Sequence, residues 1–403
     1  MLDRLMRRLE ELYPEMVEIR RDLHMNPELS FEEVRTPHLV AERLEGLGLE
    51  VRTGVGGRGV VGLLRGGRPG RTIALRADFD ALPIQEENDL PFASLVPGVM
   101  HACGHDIHTA GLLGVATVLS EVREQLPGNV VFIHQFAEEV TPGGARSMVE
   151  DGCLDGVDAI YGSHVLSTLP FGQVGVCAGA AMAAVDTFDL TIFGRGGHGA
   201  SPHMTTDPIV VASQLVMNLQ QIVSRHVDPL EPAVVTVGSL HAGTVHNVIA
   251  DTAHLKGTVR TYSSEVRADI EQAVRRIVAA TCDLAGARAE LSYRPGYPAV
   301  FNHPEETATV ERLARDLFED DAVVQVEPVM GGEDFAYYLE KVPGTFFFVG
   351  GGNEELGMTY PHHNPRFDVD ERSMLVAGRV FLAGVLDFLD ASDSKTQLAE
   401  AAG

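Results

Sequence analysis

Apolar residues recur at helical spacing from the first turn of the chain. Leu2, Leu5, Met6, Leu9 and Leu12 predict an amphipathic helix over residues 2–24. A second helix is predicted from about Glu32 to Leu47, with Gly48 as its stop. The pattern then shifts to short β-rich runs, VVGLL (60–64) and TIALRADFD (72–80), before a helical stretch over 107–125. VVFIHQF (130–136) is almost continuously apolar, as in a strand buried on both faces. A helix at about 143–150 and the strand AIYGSHV (159–165) follow. Strands alternating with helices in this way predict an α/β domain whose sheet is mostly parallel and flanked by helices.

Near residue 184 the texture changes. VDTFDLTIFG (185–194) alternates apolar and polar positions, which predicts a strand with one exposed face. A helix at 207–226, strands at 233–240 and 253–261, a helix at 264–285 and a strand at 288–294 complete an α+β block. From about 300 the α/β texture returns, with FFFVGG (346–351) as a buried strand and a helix over 370–390. The expected organisation is a discontinuous domain, residues 1–183 and 296–403, interrupted by a smaller α+β domain at 184–295. The tail, 393–403, is expected to fray.

Composition narrows the function classes. The chain has 403 residues, 45% of them hydrophobic, enough for two cores without covalent staples. Its 31 basic and 57 acidic residues give a net charge of −26, which opposes nucleic-acid binding because phosphate contacts need a basic face. No apolar run approaches the roughly 20 residues that span a bilayer, and the charged N-terminus lacks a signal peptide's apolar centre. The expectation is a cytoplasmic protein with no membrane or nucleic-acid partner. The cysteines Cys103, Cys153, Cys177 and Cys282 are scattered, which argues against a disulfide framework.

The strongest chemical signal is HACGHDIHT (101–109), three histidines and a cysteine within eight residues. Thiolate and imidazole suit zinc-like ions, and Gly104 leaves the backbone free to turn Cys103 and His105 toward one point. FAEE (136–139) follows a buried strand, where ligands and bases commonly sit in parallel sheets. One of its two adjacent carboxylates can bind metal while its neighbour stays free as a base. His164 falls at the end of AIYGSHV, and YPHHNPRFDVDE (360–371) offers paired histidines ahead of a stiffening proline. Taken singly, the acidic pair and the later histidines are also what a solvated surface provides. Together they supply Cys, His, Glu and His donors enough for two ions that share ligands.

The ordered set RRDLHMNPELSFEE (20–33), LRADFDALPIQE (75–86), MHACGHDIHTA (100–110), AEE (137–139), GSHV (162–165), GRGGHGASPH (194–203), HNVIADTAHLKGTVRT (246–261), GGEDFAYY (331–338) and HNPRFDVDE (363–371) resembles one known branch of enzymes. These are the hippurate hydrolases and indoleacetyl-amino-acid hydrolases among the dinuclear aminoacylase/carboxypeptidase metallopeptidases. The resemblance spans roughly residues 15–390. It implies a catalytic α/β domain with an inserted lid or dimerisation domain. It also implies two divalent ions per subunit, zinc or manganese in the first place and cobalt or nickel as alternatives. Cys103 would bridge them, His105 and His164 would complete one site, and Glu139 and His363 the other. His363 is preferred over its neighbour His362 because the family's ligand stands two before the proline, here Pro365. Glu138 would be the general base and His198 the lid histidine that reaches the substrate carbonyl. Asn247 and Arg260 would hold the substrate's carboxylate, Gly331 and Gly332 would admit it to the backbone, and Asp80 and Asp106 would orient metal-bound groups.

The implied reaction is hydrolysis of the amide of a small N-acyl-L-amino acid, of hippurate or N-acetyl type. A dipeptidase or carboxypeptidase on the same centre is the alternative. A non-catalytic metal-binding protein fits less well, because binding alone needs neither Glu138 nor His198. The half-exposed strands of the insertion predict a homodimer or higher homo-oligomer. Three departures from the family pattern stand out: Phe136 where proline is usual, VTPGG (140–144) in place of a more glycine-rich loop, and Ala250 where proline is usual.

Overall fold

The computed structural model describes the backbone of residues 1–401 and the side chains of residues 1–390. The expectation of a frayed tail at 393–403 lies outside the fully described residues. In chain order the elements are α1 (Leu2–Met25), α2 (Arg35–Gly46), β1 (Glu50–Val55), β2 (Gly59–Arg65), β3 (Arg68–Asp78), α3 (His105–Ser120), β4 (Pro127–Gln135), α4 (Ala145–Glu150), β5 (Ala159–Pro170), β6 (Val174–Val176), β7 (Gly179–Met182), β8 (Ala184–Phe193), β9 (Gly197–His198), α5 (Pro208–Gln221), β10 (Ala233–Ala242), β11 (Val248–Ile249), β12 (Thr252–Thr261), α6 (Ser264–Ala285), β13 (Arg288–Pro295), β14 (Val300–Asn302), α7 (Pro304–Leu317), β15 (Val323–Gln325), α8 (Ala336–Leu339), β16 (Gly344–Gly352) and α9 (Ser373–Ala401). They fall into two compact units. The first comprises Met1–Gly179, Phe301–Glu327 and Asp334–Gly403; the second comprises Ala180–Val300 and Pro328–Glu333.

The first unit is built on an eight-stranded sheet of order β1-β2-β4-β3-β5-β16-β6-β15. Its four central strands, β4, β3, β5 and β16, run parallel. The antiparallel pairs lie toward the ends, at β1–β2, β2–β4 and β16–β6. Helices cover both faces, as adjacent residues of β5 show. Tyr161 lies against Gly384 of α9, whereas Gly162, pointing the other way, lies against Phe335 just ahead of α8. Helix α1 buries Leu5, Leu9, Leu12, Met16, Ile19 and Leu23, a stripe at alternating spacings of four and three. Helix α3 is buried almost all round, which its apolar composition permits.

In register, Asp78 of β3 stands opposite Gln135 of β4, and Arg76 stands opposite Gly162 of β5. The carboxyl ends of these parallel strands are therefore level, and Asp78, Asp80, Glu138, Glu139 and His164 gather along one edge. The turn into α3 joins them there. Gly104 adopts φ +94, and a Cβ on it would lie 2.4 Å from Val165 Cγ1. Only glycine allows α3 to start that close to β5. Two sequence-based boundaries are corrected. The helix expected at 107–125 begins two residues earlier, at His105, and β5 continues past Val165 to Pro170, so His164 lies within the strand.

The second unit is a four-stranded sheet of order β10-β12-β8-β13, antiparallel throughout. Phe188, Leu190 and Ile192 of β8 point to the same side and pack with Leu215 and Leu219 of α5 and Ile270, Val274 and Val278 of α6. Local signals set the helix ends: Asp207 accepts from the Ile209 amide ahead of Pro208, Ser263 accepts from the Val266 amide, and Gly286 closes α6 at φ +66. No helix among the described residues is long and apolar enough to cross a membrane. None of the four cysteines is in a disulfide, and all are buried.

Candidate metal centre

His105 opens α3 with its side chain fully enclosed. Its Nδ1 lies 2.9 Å from the Asp80 carbonyl and 3.1 Å from Asp80 Oδ1. Both are acceptors, so Nδ1 carries the proton and Nε2 presents a lone pair. That Nε2 is buried with no hydrogen-bond partner. It faces Glu139 Oε1 at 3.8 Å, and this oxygen is likewise buried and without an aligned hydrogen bond. Two orphaned acceptors facing each other are costly unless something positive sits with them. The ligand atoms of Cys103, His105 and Glu139 all lie within 4.8 Å of one another, as do those of Cys103, His164 and His362. Nitrogen, sulfur and carboxylate donors this close suit a first-row divalent ion. The residues present therefore fit the metal centre that the sequence implies.

His164 repeats the arrangement of His105. Its Nδ1 donates to the Val165 carbonyl at 2.7 Å, and its Nε2 is 3.4 Å from Cys103 Sγ. Burial, with His108 and His362 beside it, pushes its pKa well below the ordinary value, so the ring stays neutral with its lone pair available. His363 Nε2 lies 3.3 Å from Glu139 Oε1. His363 has φ +63, rare for a residue with a side chain, and its amide donates to the Ala102 carbonyl at 2.8 Å, tying this loop to Cys103. His108 is close by but is no ligand candidate. Its Nδ1 donates to Asp78 Oδ1 at 2.6 Å and its Nε2 accepts from the Val165 amide at 2.9 Å, so both nitrogens are committed.

The electrostatics favour a cation. Burial raises the Cys103 thiol well above its ordinary pKa, and Glu139, Glu138 and Asp78 raise it further. A thiolate at this point needs a positive partner. Burial alone would lower His105, yet the carboxylates of Asp78, Asp80 and Glu139 outweigh it and raise its pKa to about 10, so without an ion a proton takes the place on Nε2 that a metal would fill. The same field attracts a divalent ion. Asp78 itself is kept well below the usual carboxylate range: burial opposes this, but the buried Arg76 guanidinium 2.6 Å away and the two histidines prevail.

Around the donors lies a fixed frame. Asp80 accepts at Oδ2 from the Glu139 amide (3.0 Å) and the Ser30 hydroxyl (2.6 Å), so one carboxylate orients both His105 and Glu139. Asp106 turns elsewhere. It pairs with Arg20 at 2.8 Å and His24 at 2.8 Å and touches no ligand candidate, contrary to the orienting role expected for it. Arg20 also reaches Asp368 at 2.9 Å and Glu371 at 3.3 Å. Glu33 accepts the Ala137 amide at 2.9 Å, and Ala137 takes φ +51 just ahead of Glu138, which is buried. The sequence reading named neither Glu33 nor Arg20 as a partner of the site, although both lie within its RRDLHMNPELSFEE motif.

Glu33 provides a pH test. It is fully enclosed, and burial, reinforced by Asp80, pushes its pKa from 4.5 to about 7. A raised carboxyl favours the fold while protonated. Its contribution is complete below about 4.5, falls as the unfolded chain ionises, and is lost as pH rises through about 7. Glu33→Gln removes this dependence. The wild type should lose about 3 kcal/mol relative to the variant between pH 4.5 and 7.5. Urea unfolding across that range checks it, and parallel pH curves would refute it.

The remaining expected residues lie in the second unit. His198, on β9, is exposed; its Nδ1 accepts from the Ala200 amide at 3.0 Å, which leaves the ring proton of the neutral form on Nε2. β9 pairs with β11, His198 opposite Val248, and the Asn247 carbonyl accepts from Gly199 at 2.8 Å, so His198 and Asn247 are neighbours. Arg260 is half-buried on β12, its side chain with no ion pair or hydrogen bond among the described residues, and burial lowers its pKa. Its cross-strand partner Val185 is also the residue that a Cβ on Gly332 would strike, at 2.2 Å. Gly331 sits beside this point, its carbonyl accepting from Ala183 at 2.9 Å. The structure therefore groups Arg260 with the two glycines at one end of this sheet, and Asn247 with His198 at the other. Register places Arg260 opposite Val185 and Thr252 opposite Phe193, eight positions away along β8. That is roughly 25 Å at the usual rise per residue. Asn247 and Arg260 of one chain therefore lie toward opposite ends of this sheet.

A centre of buried Cys, His and Glu donors at the carboxyl edge of a mostly parallel sheet is what a metallohydrolase needs. Comparison with known proteins is specific. The model of peptidase family M20/M25/M40 matches residues 74–387, and the chain belongs to that family. It is 47% identical over 299 residues to an N-acyl-L-amino acid amidohydrolase of Geobacillus stearothermophilus, covering 74% of this chain and 81% of that one. It is 42% identical over 374 residues to thermostable carboxypeptidase 2 of Saccharolobus solfataricus, covering 92% and 94%. Among solved structures, the YXEP protein of Bacillus subtilis, described as a dinuclear metal-binding peptidase of the M20 family, superposes with a TM-score of 0.81 at 39% identity, covering 94% of this chain and 99% of that one. The chain is accordingly a hydrolase of amide bonds.

Proposed function

We propose that this chain hydrolyses N-acyl-L-amino acids, of N-acetyl or hippurate type, at a centre of two divalent ions. The observation that carries the reading is the pair of orphaned acceptors, His105 Nε2 and Glu139 Oε1, facing each other beside Cys103. Cys103, His105, Glu139, His164 and His363 would hold the ions, with zinc or manganese preferred and cobalt or nickel also compatible. His105 is within reach of both neighbours: its Nε2 is 3.8 Å from Glu139 Oε1, and its ligand atom lies within 4.8 Å of that of His164. When bound, such ions acidify water toward neutral pH and polarise a carbonyl.

The chain's own residues do the rest. Glu138, next to Glu139 and buried, takes the proton from the attacking water and delivers it to the departing nitrogen. Arg260, half-buried and unpaired, receives the substrate carboxylate, to which its planar fork is matched; Gly331 and Gly332 leave room for that group beside it. His198 donates from Nε2 to the carbonyl oxygen as negative charge develops there, with Asn247 next to it. Because His198 and Asn247 lie toward the other end of this sheet from Arg260, we assign them to the active site of a second copy, so that the working form is a homodimer. Val210 and Met217 on α5, and Leu240 on the edge strand β10, are exposed apolar residues suited to that contact.

The likeness to a carboxypeptidase favours a second reading, in which the acyl side carries a free amine. One experiment separates the two. Chelated protein, before and after restoration with zinc, manganese, cobalt or nickel, is offered acetyl- and benzoyl-amino acids alongside unblocked dipeptides. Metal-dependent release of amino acid from the blocked substrates is expected. Cleavage confined to unblocked peptides would replace the proposal with the second reading, and no cleavage of either by metal-loaded protein would remove both.

A further inference from the structure

His362 lies next to the proposed ligand His363 and has an unusual set of partners. Its Nδ1 is 3.6 Å from Cys103 Sγ, and its Nε2 is 3.3 Å from the Ser167 amide nitrogen. The ring is held between neighbours, with centroids 4.8 Å from Phe367 and 5.2 Å from His164. At these distances it could be taken for a third ligand beside Cys103 and His164.

The Ser167 contact decides otherwise. A backbone amide only donates, so the nitrogen facing it must offer a lone pair. With Nε2 accepting, the ring's proton is on Nδ1, the nitrogen that faces the sulfur. A His362 that bound metal through Nδ1 would carry its proton on Nε2 and set two N–H groups against each other at 3.3 Å. Resting on the metal-centre reading above, we infer that His362 is not a ligand but a positioning residue, whose Nδ1–H donates a hydrogen bond to the Cys103 thiolate. Such a bond draws charge from the sulfur, weakens its donation to the metal and fixes the direction of its lone pairs. Hydrogen bonds to the groups that bind a metal tune it in this way. Ser167, on the part of β5 beyond His164, thereby acts on the centre through a backbone contact that no side-chain motif reveals.

The test is spectroscopic and needs no turnover. Cobalt-loaded wild type, His362→Phe and His362→Asn are compared by metal content and by the near-ultraviolet sulfur-to-cobalt charge-transfer band. Phenylalanine keeps a ring between His164 and Phe367 but has no donor; asparagine places an amide N–H near the position of Nδ1. The expected result is two cobalt ions per chain in all three proteins, with the band shifted to longer wavelength in His362→Phe and returned toward wild type in His362→Asn. His362→Leu serves as a second donor-free variant should the phenylalanine protein not fold. An unmoved band in the donor-free variant overturns the hydrogen bond. Loss of one cobalt ion that asparagine does not restore makes His362 a ligand and overturns the inference. A wild type with no sulfur-to-cobalt band overturns the metal-centre reading beneath it, a failure distinct from the other two.

Discussion

Glu138→Gln should leave a folded protein that binds its metal in full and turns over substrate about 10²–10⁴-fold more slowly, the range that a positioned general base supplies. Glutamine keeps the size of the side chain and its hydrogen-bonding oxygen but cannot accept a proton at neutral pH. The ligands are untouched, so metal content and melting temperature should match wild type, and the loss should fall on kcat. Turnover within a few-fold of wild type would take the base role away from Glu138. The same variant tests the shared active site. Neither Glu138→Gln nor His198→Ala should be active alone. Mixed after dissociation and reassociation, they should recover activity, because a mixed dimer holds one site with both Glu138 and a partner's His198. Failure of the mixture to recover, from protein shown to have exchanged subunits, would place His198 in the same copy or outside the chemistry.

Arg20→Met should have the largest effect on stability. Arg20 is fully enclosed and serves Asp106 at 2.8 Å, Asp368 at 2.9 Å and Glu371 at 3.3 Å. With the guanidinium gone, Asp106 and Asp368 remain buried with fewer positive neighbours, and breaking a buried cluster from one side costs about 3–5 kcal/mol. Lysine should not rescue it, since a single ammonium cannot reach three carboxylates in a planar fan. A second consequence is specific to this site. Asp106 follows His105 directly, and Asp368 is five residues after His363, so the guanidinium joins two ligand-bearing stretches. The variant should lose metal to a chelator faster than wild type. Urea unfolding of the first unit and the rate of metal loss measure the two effects, and a variant unchanged in both would remove Arg20 from this role.

The legible parts of the fold were those with a long period or a strong stop. α1, α5 and α6 declared themselves by apolar spacing and by Gly286, and β4 and β16 by unbroken apolar runs. The second half of β5, LSTLP, is broken by an adjacent Ser–Thr pair and ends in proline, and does not read as a continuation of AIYGSHV. β6 and β15 are three residues each, too short for any pattern to emerge from the sequence. The site divides along similar lines. Cys103 and His105 sit two apart, and Glu138 and Glu139 are adjacent, so their density is visible along the chain. Asp78 with His108, Glu33 with Ala137 and Ser167 with His362 are separated by 30, 104 and 195 positions. Such pairs exist only once the sheet has formed. The paired histidines 362 and 363 were in plain view, but what each does depends on which nitrogen faces an amide, and that is a property of the fold.

β16 sits between β5 and β6, yet it is made more than 160 residues after either of them. While the chain emerges from the ribosome, β5 therefore has an unmatched edge next to Phe- and Val-rich core, and stays so until residues 344–352 appear. Contacts this distant in sequence form slowly and leave sticky intermediates exposed in the meantime. The second unit, continuous except for Pro328–Glu333, has most of its chain available long before then. Nascent chains of this protein should accordingly carry one nearly complete domain beside a half-built sheet, and it is that open edge of β5 that a chaperone would be called upon to shield.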